Sequence, residues 1–320
     1  MSSLLNDLPA VPEAGWPWTA TPPSPSADHE YPKISVVTPS YNQAEFLEAT
    51  IRSVLLQNYP NLEYVVMDGG STDGSVDIIE KYEPWIDHWV SESDRGQSHA
   101  INKGFKHCSG DLATFINSDD MLAPGALVEH VEAIGYEADT IYIGDCQVVD
   151  ERGETIKHHT SQVRSFEDLV DIPNVWRAQP MQGHIVQMET LFPLDLYKEV
   201  GGLNEEMEYA MDYELWGELL LAGAEIEYTG IEVGIFREHE AQKTSDRWGH
   251  TKSIARSAIQ FIRRHSTWSD EKKQTLIDRV NAYWDEQWRK TGRLARTGLP
   301  EPIVQAVREW RNEWIGDPTG

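Results

Sequence analysis

Between Tyr31 and Val149 the chain alternates between two hydrophobic periods. Compact apolar runs at Ile34–Pro39 (ISVVTP), Leu62–Asp68 (LEYVVMD), around Asp87–Ser91, at Leu112–Asn117 (LATFIN) and at Thr140–Val149 (TIYIGDCQVV) read as buried strands. Between them, Ala44–Gln57, Gly74–Tyr82, Ser98–His107 and Pro124–Ile134 place apolar residues at helical spacing. Strands separated by helices of this length predict an α/β fold, a mostly parallel sheet with helices on both faces. From Asp150 to Gly249 the pattern is less regular, broken by Pro173, Pro180 and Pro193, with a clear helix only at DYELWGELLLAGA. That stretch is expected to complete the sheet and build a pocket wall. Beyond His250, TKSIARSAIQFIRRH and EKKQTLIDRVNAYWDEQWRK read as two helices and EPIVQAVREWRNEW as a shorter third. The first thirty residues, with PWTATPPSPS at Pro17–Ser26, have no periodicity and read as an extended arm.

Composition narrows the class. A chain of 320 residues with 40% hydrophobic content can bury a substantial core. No apolar run approaches the ~18 residues of a membrane span, and the N-terminus lacks a basic start followed by an apolar stretch, so a cytoplasmic location is expected. Cys108 and Cys146 match no metal spacing and read as reduced packing residues. The net charge of −26 argues against nucleic acid as a partner, because phosphates would be repelled from most of the surface. The charge is uneven: from Thr251 to Gly320, 13 lysines and arginines stand against 9 acidic residues, together with Trp268, Trp284, Trp288, Trp310 and Trp314.

The polar residues that could carry chemistry gather at strand ends. In an open α/β sheet, loops at the carboxyl ends of successive strands converge on one crevice. VVTPSYN ends the first strand with Thr38, Pro39, Ser40 and Tyr41, whose ring offers a face on which a base can stack. DGGSTDG ends the second. Its glycines allow close backbone approach, Asp68 can accept from a base or ribose, and Ser71, Thr72 or Asp73 can cap the next helix. SESDRGQSHAINKG supplies Asp94, Arg95 and Gln97 ahead of a helix N-terminus, a place suited to polar or anionic groups. GDLATFINSDDML ends a strand on Asn117, Ser118, Asp119 and Asp120, where the carboxylates can hold a metal, a sugar hydroxyl or a helix N-terminus.

In order and spacing, PSYNQAEFLEATIRSVLLQNYPNLEYVVMDGGSTDGS, SDRGQSHAINKG and GDLATFINSDDML resemble the nucleotide-binding half of family-2 glycosyltransferases of the GT-A fold. METLFPLDLYKEVGGLNEEMEYAMDYELWGELLLAG and GIFREHEAQKT resemble the acceptor half, so the likeness runs from about Lys33 to Thr244. It implies a nucleotide-diphosphate-sugar donor, with a UDP-sugar the leading candidate, a divalent Mg²⁺ or Mn²⁺ on the diphosphate, and transfer with inversion to an acceptor glycan, lipid-linked glycan or small molecule. The organisation it implies is an arm at 1–30, a GT-A glycosyltransferase domain at 31–249 (nucleotide-sugar half 31–122, acceptor half 123–249) and a helical extension at 250–320.

Residue roles follow from the same resemblance. The family's Asp-x-Asp motif falls on Asn117 and Asp119, with Asp119 a metal ligand and Asn117 reaching the ribose or a metal-bound water. Asp120 either joins the site or caps the following helix. Asp212 matches the position of the catalytic base, with the role of helix N-cap competing and Glu208 and Glu214 close by. Trp216, one turn on, reads as core. Arg237 and His239 stand two apart on an expected strand and so share a face, the arginine toward diphosphate and the histidine as a second metal ligand. Lys243 falls on a loop that can close over the donor. Two departures stand out. Gly69 occupies a place where many relatives carry a second aspartate that contacts uracil, and Ala100, Ile101 and Asn102 replace their Ala-Arg-Asn.

Two other nucleotide-handling classes fit less well. A sugar-phosphate nucleotidylyltransferase would need a glycine-rich, arginine-containing loop after the first strand, and a dinucleotide-dependent oxidoreductase G-x-G-x-x-G there; VVTPSYNQ is neither. A catalytically silent binding module would not need Asp119, Asp212 and His239 together. In the tail, Ile277, Val280, Trp284 and Trp288 recur at helical spacing beside Lys272, Lys273, Arg279, Arg289 and Lys290. That stripe is expected to pack on the catalytic domain or on a second subunit in a homo-oligomer, with peripheral contact to an anionic membrane as the alternative.

Overall fold

A computed structural model of the chain describes residues 8–11, 14–19, 24–175, 183–239 and 247–295. The chain divides into two units, Met1–Ser266 and Thr267–Gly320. The first contains the strands β1 (Ile34–Ser40), β2 (Leu62–Asp68), β3 (His88–Ser91), β4 (Leu112–Phe115), β5 (Met121–Leu122), β6 (Thr140–Val149), β7 (Thr155–Thr160), β8 (Thr190–Pro193) and β9 (Glu225–Arg237). They make one sheet in the order β3-β2-β1-β4-β8-β6-β9-β5, with β7 paired to β6.

The sheet is parallel through its first half, where β1 pairs with β2 and β4, and β2 with β3. In its second half it is mixed: β8 runs antiparallel to both β4 and β6, while β6 and β9 run parallel. Helices α1 (Ala44–Leu55), α2 (Ser75–Tyr82), α3 (Gln97–Phe105) and α4 (Ala126–Ile134) connect the first strands, close to the spans their apolar spacing predicts. β1, β2 and β4 are buried along their whole length, as strands covered on both faces must be, which is why they read as continuous apolar runs.

Further on, α5 (Phe166–Val170), α6 (Ile172–Val175), α7 (Leu194–Glu199), α8 (Met211–Leu221) and α9 (Arg247–Arg264) complete the first unit. α8 meets α9 at Gly217, where a Cβ would run into the Phe261 ring. Trp216 is fully buried, its ring 5.6 Å from that of Phe192, so it is core. Cys108 and Cys146 are free and buried.

The N-terminal arm is docked. Buried Arg52 of α1 donates to the carbonyls of Pro9 (3.0 Å), Pro17 (3.1 Å) and Trp18 (2.9 Å), and Trp16 Nε1 donates to Leu122 O at 2.9 Å. These bonds satisfy backbone oxygens that the arm, having no ladder of its own, would otherwise bury unpaired.

In the second unit, α10 (Asp270–Ala295) begins at Ser269, whose hydroxyl accepts from the Lys272 amide at 3.2 Å. The expected third helix at EPIVQAVREWRNEW lies outside the described residues. Among the described residues no helix is long and apolar enough to cross a membrane.

Candidate active site

Register sets the floor of the crevice. Ser40 pairs with Asp68 and Asp68 with Ser91, so β1, β2 and β3 end level, each on a polar residue. Thr38 is buried and its hydroxyl lies 3.0 Å from Tyr64 Oη, so it belongs to the sheet. Pro39 and Ser40 are buried in the same strand, and Ser40 Oγ has no partner among the described residues. Tyr41, the next residue, is 63% exposed and leaves a free aromatic face at the strand's mouth.

The carboxylates of DGGSTDG are committed to the loop. Asp68 accepts from Gly70 N (3.0 Å), Ser71 N (2.8 Å), Ser71 Oγ (2.5 Å) and Ser91 Oγ (2.6 Å). Four bonds match the lone-pair sites of a carboxylate, so in this arrangement Asp68 holds the turn. Asp73 accepts from Ala44 N at 2.9 Å and from Ser75 N at 3.0 Å, anchoring the first turns of both α1 and α2. Asp94 is different: Oδ1 accepts from Gly96 N at 2.7 Å, and among the described residues Oδ2 accepts no bond. Arg95 is exposed and ion-paired to Glu205.

Beside this floor, β4 stops at Phe115 and the chain turns through Asn117, Ser118, Asp119 and Asp120. Gln97 Nε2 donates to Asn117 Oδ1 at 2.6 Å, joining the start of α3 to the turn. Thr50 of α1 donates to Ser118 O (2.9 Å) and Asp120 O (2.7 Å), fixing the backbone. The Asp119 carboxylate keeps some exposure, and its Oδ2 lies 3.0 Å from His239 Nε2. His239 stands just past the end of β9, and its ring packs 5.0 Å from Phe46 of α1.

Asp120 does not cap α4. It is buried, accepting from Arg237 N at 3.0 Å and from Asn117 Nδ2 at 3.3 Å, because β5 intervenes and Gly125 occupies the cap position. Burial and the neighbouring Asp119 charge push its carboxyl well above the usual range. Arg237 is buried as well. Nε donates to Asp119 O at 3.0 Å and Nη1 to Glu151 O at 3.3 Å, so the guanidinium braces the acidic turn from behind.

Asp212 lies in the first turn of α8, where Ala210, not Asp212, is the cap residue. Its Oδ1 accepts from Tyr213 N at 2.9 Å. Burial raises its carboxyl above the ordinary value, and the charge of His250 on α9 opposes that rise. The His250 ring packs 5.2 Å from Tyr209, just ahead of α8.

The sequence reading missed Phe46, which lies beside both His239 and Arg237, and His250, which reads as an unremarkable helix position. It also missed Gln187 and Glu189, buried in the turn that leads into β8, where Gln187 Nε2 donates to Phe115 O. Asn102, in the departed Ala-Ile-Asn stretch, donates to Leu203 O at 2.8 Å and accepts from Leu203 N at 2.9 Å, while Ile101 beside it is fully buried. Lys243 lies outside the described residues.

Asp119 and His239 offer a hard carboxylate oxygen and an imidazole nitrogen, a donor pair that fits Mg²⁺ or Mn²⁺ once diphosphate oxygens and water complete the shell. Among the described residues no third His, Cys, Asp or Glu joins them. The protein supplies a partial set, as suits an ion shared with a phosphorylated ligand.

The chain is similar to known proteins in sequence and in fold. Residues 35–186 match the model of Glycosyl transferase family 2. An uncharacterized glycosyltransferase of Rickettsia typhi is 27% identical over 218 residues, covering 67% of this chain and 66% of that protein. One from Mycobacterium tuberculosis is 40% identical over 105 residues, 32% of this chain and 40% of its own. The chain spans from 30% to 66% of the length of the first curated relatives it matches. Among solved structures, S. aureus TarS 1–349 in complex with UDP-GlcNAc superposes with a TM-score of 0.60 at 17% identity, over 77% of this chain and 70% of that one. The mannosyltransferase PcManGT from Pyrobaculum calidifontis, in complex with GDP-Man and Mn²⁺, gives 0.54 at 18% identity over 90% and 82%.

Proposed function

With the match of residues 35–186 to Glycosyl transferase family 2 as premise, we propose that this protein transfers a sugar from a nucleotide-diphosphate-sugar to an acceptor hydroxyl, with inversion at the anomeric carbon. The observation that carries the proposal is the 3.0 Å approach of Asp119 Oδ2 to His239 Nε2 at the turn that follows β4. These two residues would hold Mg²⁺ or Mn²⁺. When bound, the ion supplies positive charge that stabilises the departing nucleoside diphosphate.

The rest of the chemistry belongs to side chains of this chain. Tyr41 offers the face on which the base stacks, and the level ends of β1, β2 and β3 hold the nucleoside against the floor. Asn117 and Ser118 present the turn to the ribose and phosphates, with Gln97 fixing the Asn117 amide. Arg237 keeps the turn in place from behind. Asp212 takes the proton of the acceptor hydroxyl as it attacks the anomeric carbon, and burial, which raises its carboxyl above the ordinary value, makes it a stronger base. One in-line displacement inverts the anomeric carbon. Solved structures with UDP-GlcNAc and with GDP-Man among neighbours of this fold leave the choice of base to the chain itself, and a UDP-sugar is the donor we favour.

The test is turnover of a panel of UDP-, GDP-, dTDP- and CDP-sugars with Mn²⁺ or Mg²⁺, following release of the nucleoside diphosphate and the anomeric configuration of the transferred sugar by NMR. Release from one donor class, with inversion, supports the reading. Turnover of none, or retention of configuration, contradicts it.

A further inference from the structure

Gly69 is backed by two side chains from different strand ends. A Cβ built on it would lie 2.7 Å from Asp94 Oδ2 and 3.2 Å from Tyr41 Cδ2. Its φ is not positive, so what calls for glycine there is space, not backbone conformation. The carboxylate of Asp94, arriving from the loop after β3, occupies the volume a side chain at position 69 would take, and it does so against the exposed Tyr41 ring.

Of the three carboxylates at this end of the crevice, two are spent. Asp68 carries four hydrogen bonds within its own turn and neighbouring strand, and Asp73 anchors α1 and α2. Asp94 holds the Gly96 amide with Oδ1 and keeps Oδ2 open among the described residues. A negatively charged acceptor repels phosphate and takes a neutral hydrogen-bond donor, and the exposed Tyr41 ring beside it favours a donor carried on the edge of a flat heterocycle.

We propose that Asp94 is the specificity-determining residue for the donor base, and that its single open oxygen, set in the space left by Gly69 beside Tyr41, selects a pyrimidine imide N–H. This rests on the nucleotide-sugar reading above. One free carboxylate oxygen matches the one N3–H of uracil or thymine. Guanine offers two parallel donors, N1–H and N2–H₂, that pair best with both oxygens of a carboxylate side by side, and here Oδ1 is turned to Gly96 N. Cytosine turns a ring-nitrogen lone pair toward the carboxylate, as adenine does, and leaving buried or opposed polar edges unpaired is what generates discrimination.

The experiment is calorimetric binding of UDP, dTDP, CDP and GDP, and of N3-methyl-UDP, to the full chain with Mn²⁺. Three proteins are compared: wild type, Asp94→Asn and Gly69→Ala. Wild type should prefer UDP or dTDP, the two being told apart directly, and should lose about 10- to 100-fold on N3-methylation, the range for a hydrogen bond to a charged group. In Asp94→Asn the remaining oxygen stays with Gly96 N and an amide N–H replaces Oδ2. UDP should then weaken by a similar factor, the preference for UDP over CDP should shrink or reverse, and N3-methylation should cost little. Gly69→Ala should weaken UDP while leaving the thermal unfolding midpoint near wild type, because its methyl meets only the side chains of Asp94 and Tyr41 and no backbone. If Asp94→Asn binds UDP as wild type does, with the UDP to CDP ratio unchanged, the proposal is overturned and the nucleotide-sugar reading stands. If wild type binds none of the diphosphates and turns over no nucleotide-sugar, both fall together.

Discussion

Asp119 Oδ2 and His239 Nε2 meet at 3.0 Å across 120 residues of chain. The two-residue strand β5 brings them together: Met121 pairs with Ile235 and Leu122 with Gly234, which delivers the end of β9 to the turn after β4. Asp120 completes the join by accepting from the Arg237 amide at 3.0 Å. One acidic turn thus supplies both a carboxylate facing the crevice and a buried one that fastens the strand carrying its partner histidine.

Replacing Asp212 with asparagine should separate binding from turnover. With Asp212 as base, Asp212→Asn lowers kcat by a factor on the order of 10² to 10⁴ and leaves the Kd for nucleoside diphosphate within about twofold of wild type. Steady-state kinetics and calorimetry on the same preparation check it, and a normal kcat would remove Asp212 from that role.

The pH profile carries the same assignment. Burial raises the Asp212 carboxyl, so the acid limb of kcat should fall above the ~3.9 of an unperturbed aspartate, with activity lost as pH drops through it. The His250 charge holds that carboxyl down. His250→Gln should therefore move the limb to higher pH, and a limb that stays in place would show that His250 does not act on the base.

His130 gives a pH effect on stability separate from catalysis. Both its ring nitrogens are buried without a hydrogen-bond partner among the described residues, and burial lowers its pKa to about 4. The unfolded chain, with histidine near ~6.5, binds the proton first. Stability is thus full above that value and declines as pH falls toward about 4, by about 3 kcal/mol in all. Chemical denaturation of His130→Phe from neutral to acidic pH should show a shallower decline than wild type.

Gly217 tests the seam between α8 and α9. Alanine in a helix interior usually stabilises, but here the added methyl meets the buried Phe261 ring. Gly217→Ala is expected to cost ~1–3 kcal/mol by denaturant unfolding, and Gly217→Ala combined with Phe261→Leu to recover part of that loss.

The parts legible in the sequence were those carried by local signals. LEYVVMD and TIYIGDCQVV coincide with β2 and β6 because buried strands are continuous apolar runs bounded by turns. Asp119 was visible as a carboxylate just past a strand. The direction of β8 was not, since TLFP has nothing in it that distinguishes parallel from antiparallel pairing, and so the sheet turned out mixed in its second half. The choice for Asp120 between joining the site and capping a helix stayed open because a two-residue strand leaves no periodicity, and β5 is what separates it from α4. Asp94 and Gly69 lie 25 positions apart, and only the side-by-side pairing of β2 and β3 places one in the space of the other. His250 acts on Asp212 through the docking of two helices, which the spacing of neither helix records.

The most direct measurement is the affinity of the full chain for UDP with and without Mn²⁺, in wild type, Asp119→Ala and His239→Ala. The account predicts that Mn²⁺ tightens UDP binding at least tenfold in wild type, and that either substitution removes that gain while the protein remains folded by circular dichroism. A metal-dependent gain of the same size in Asp119→Ala would contradict it.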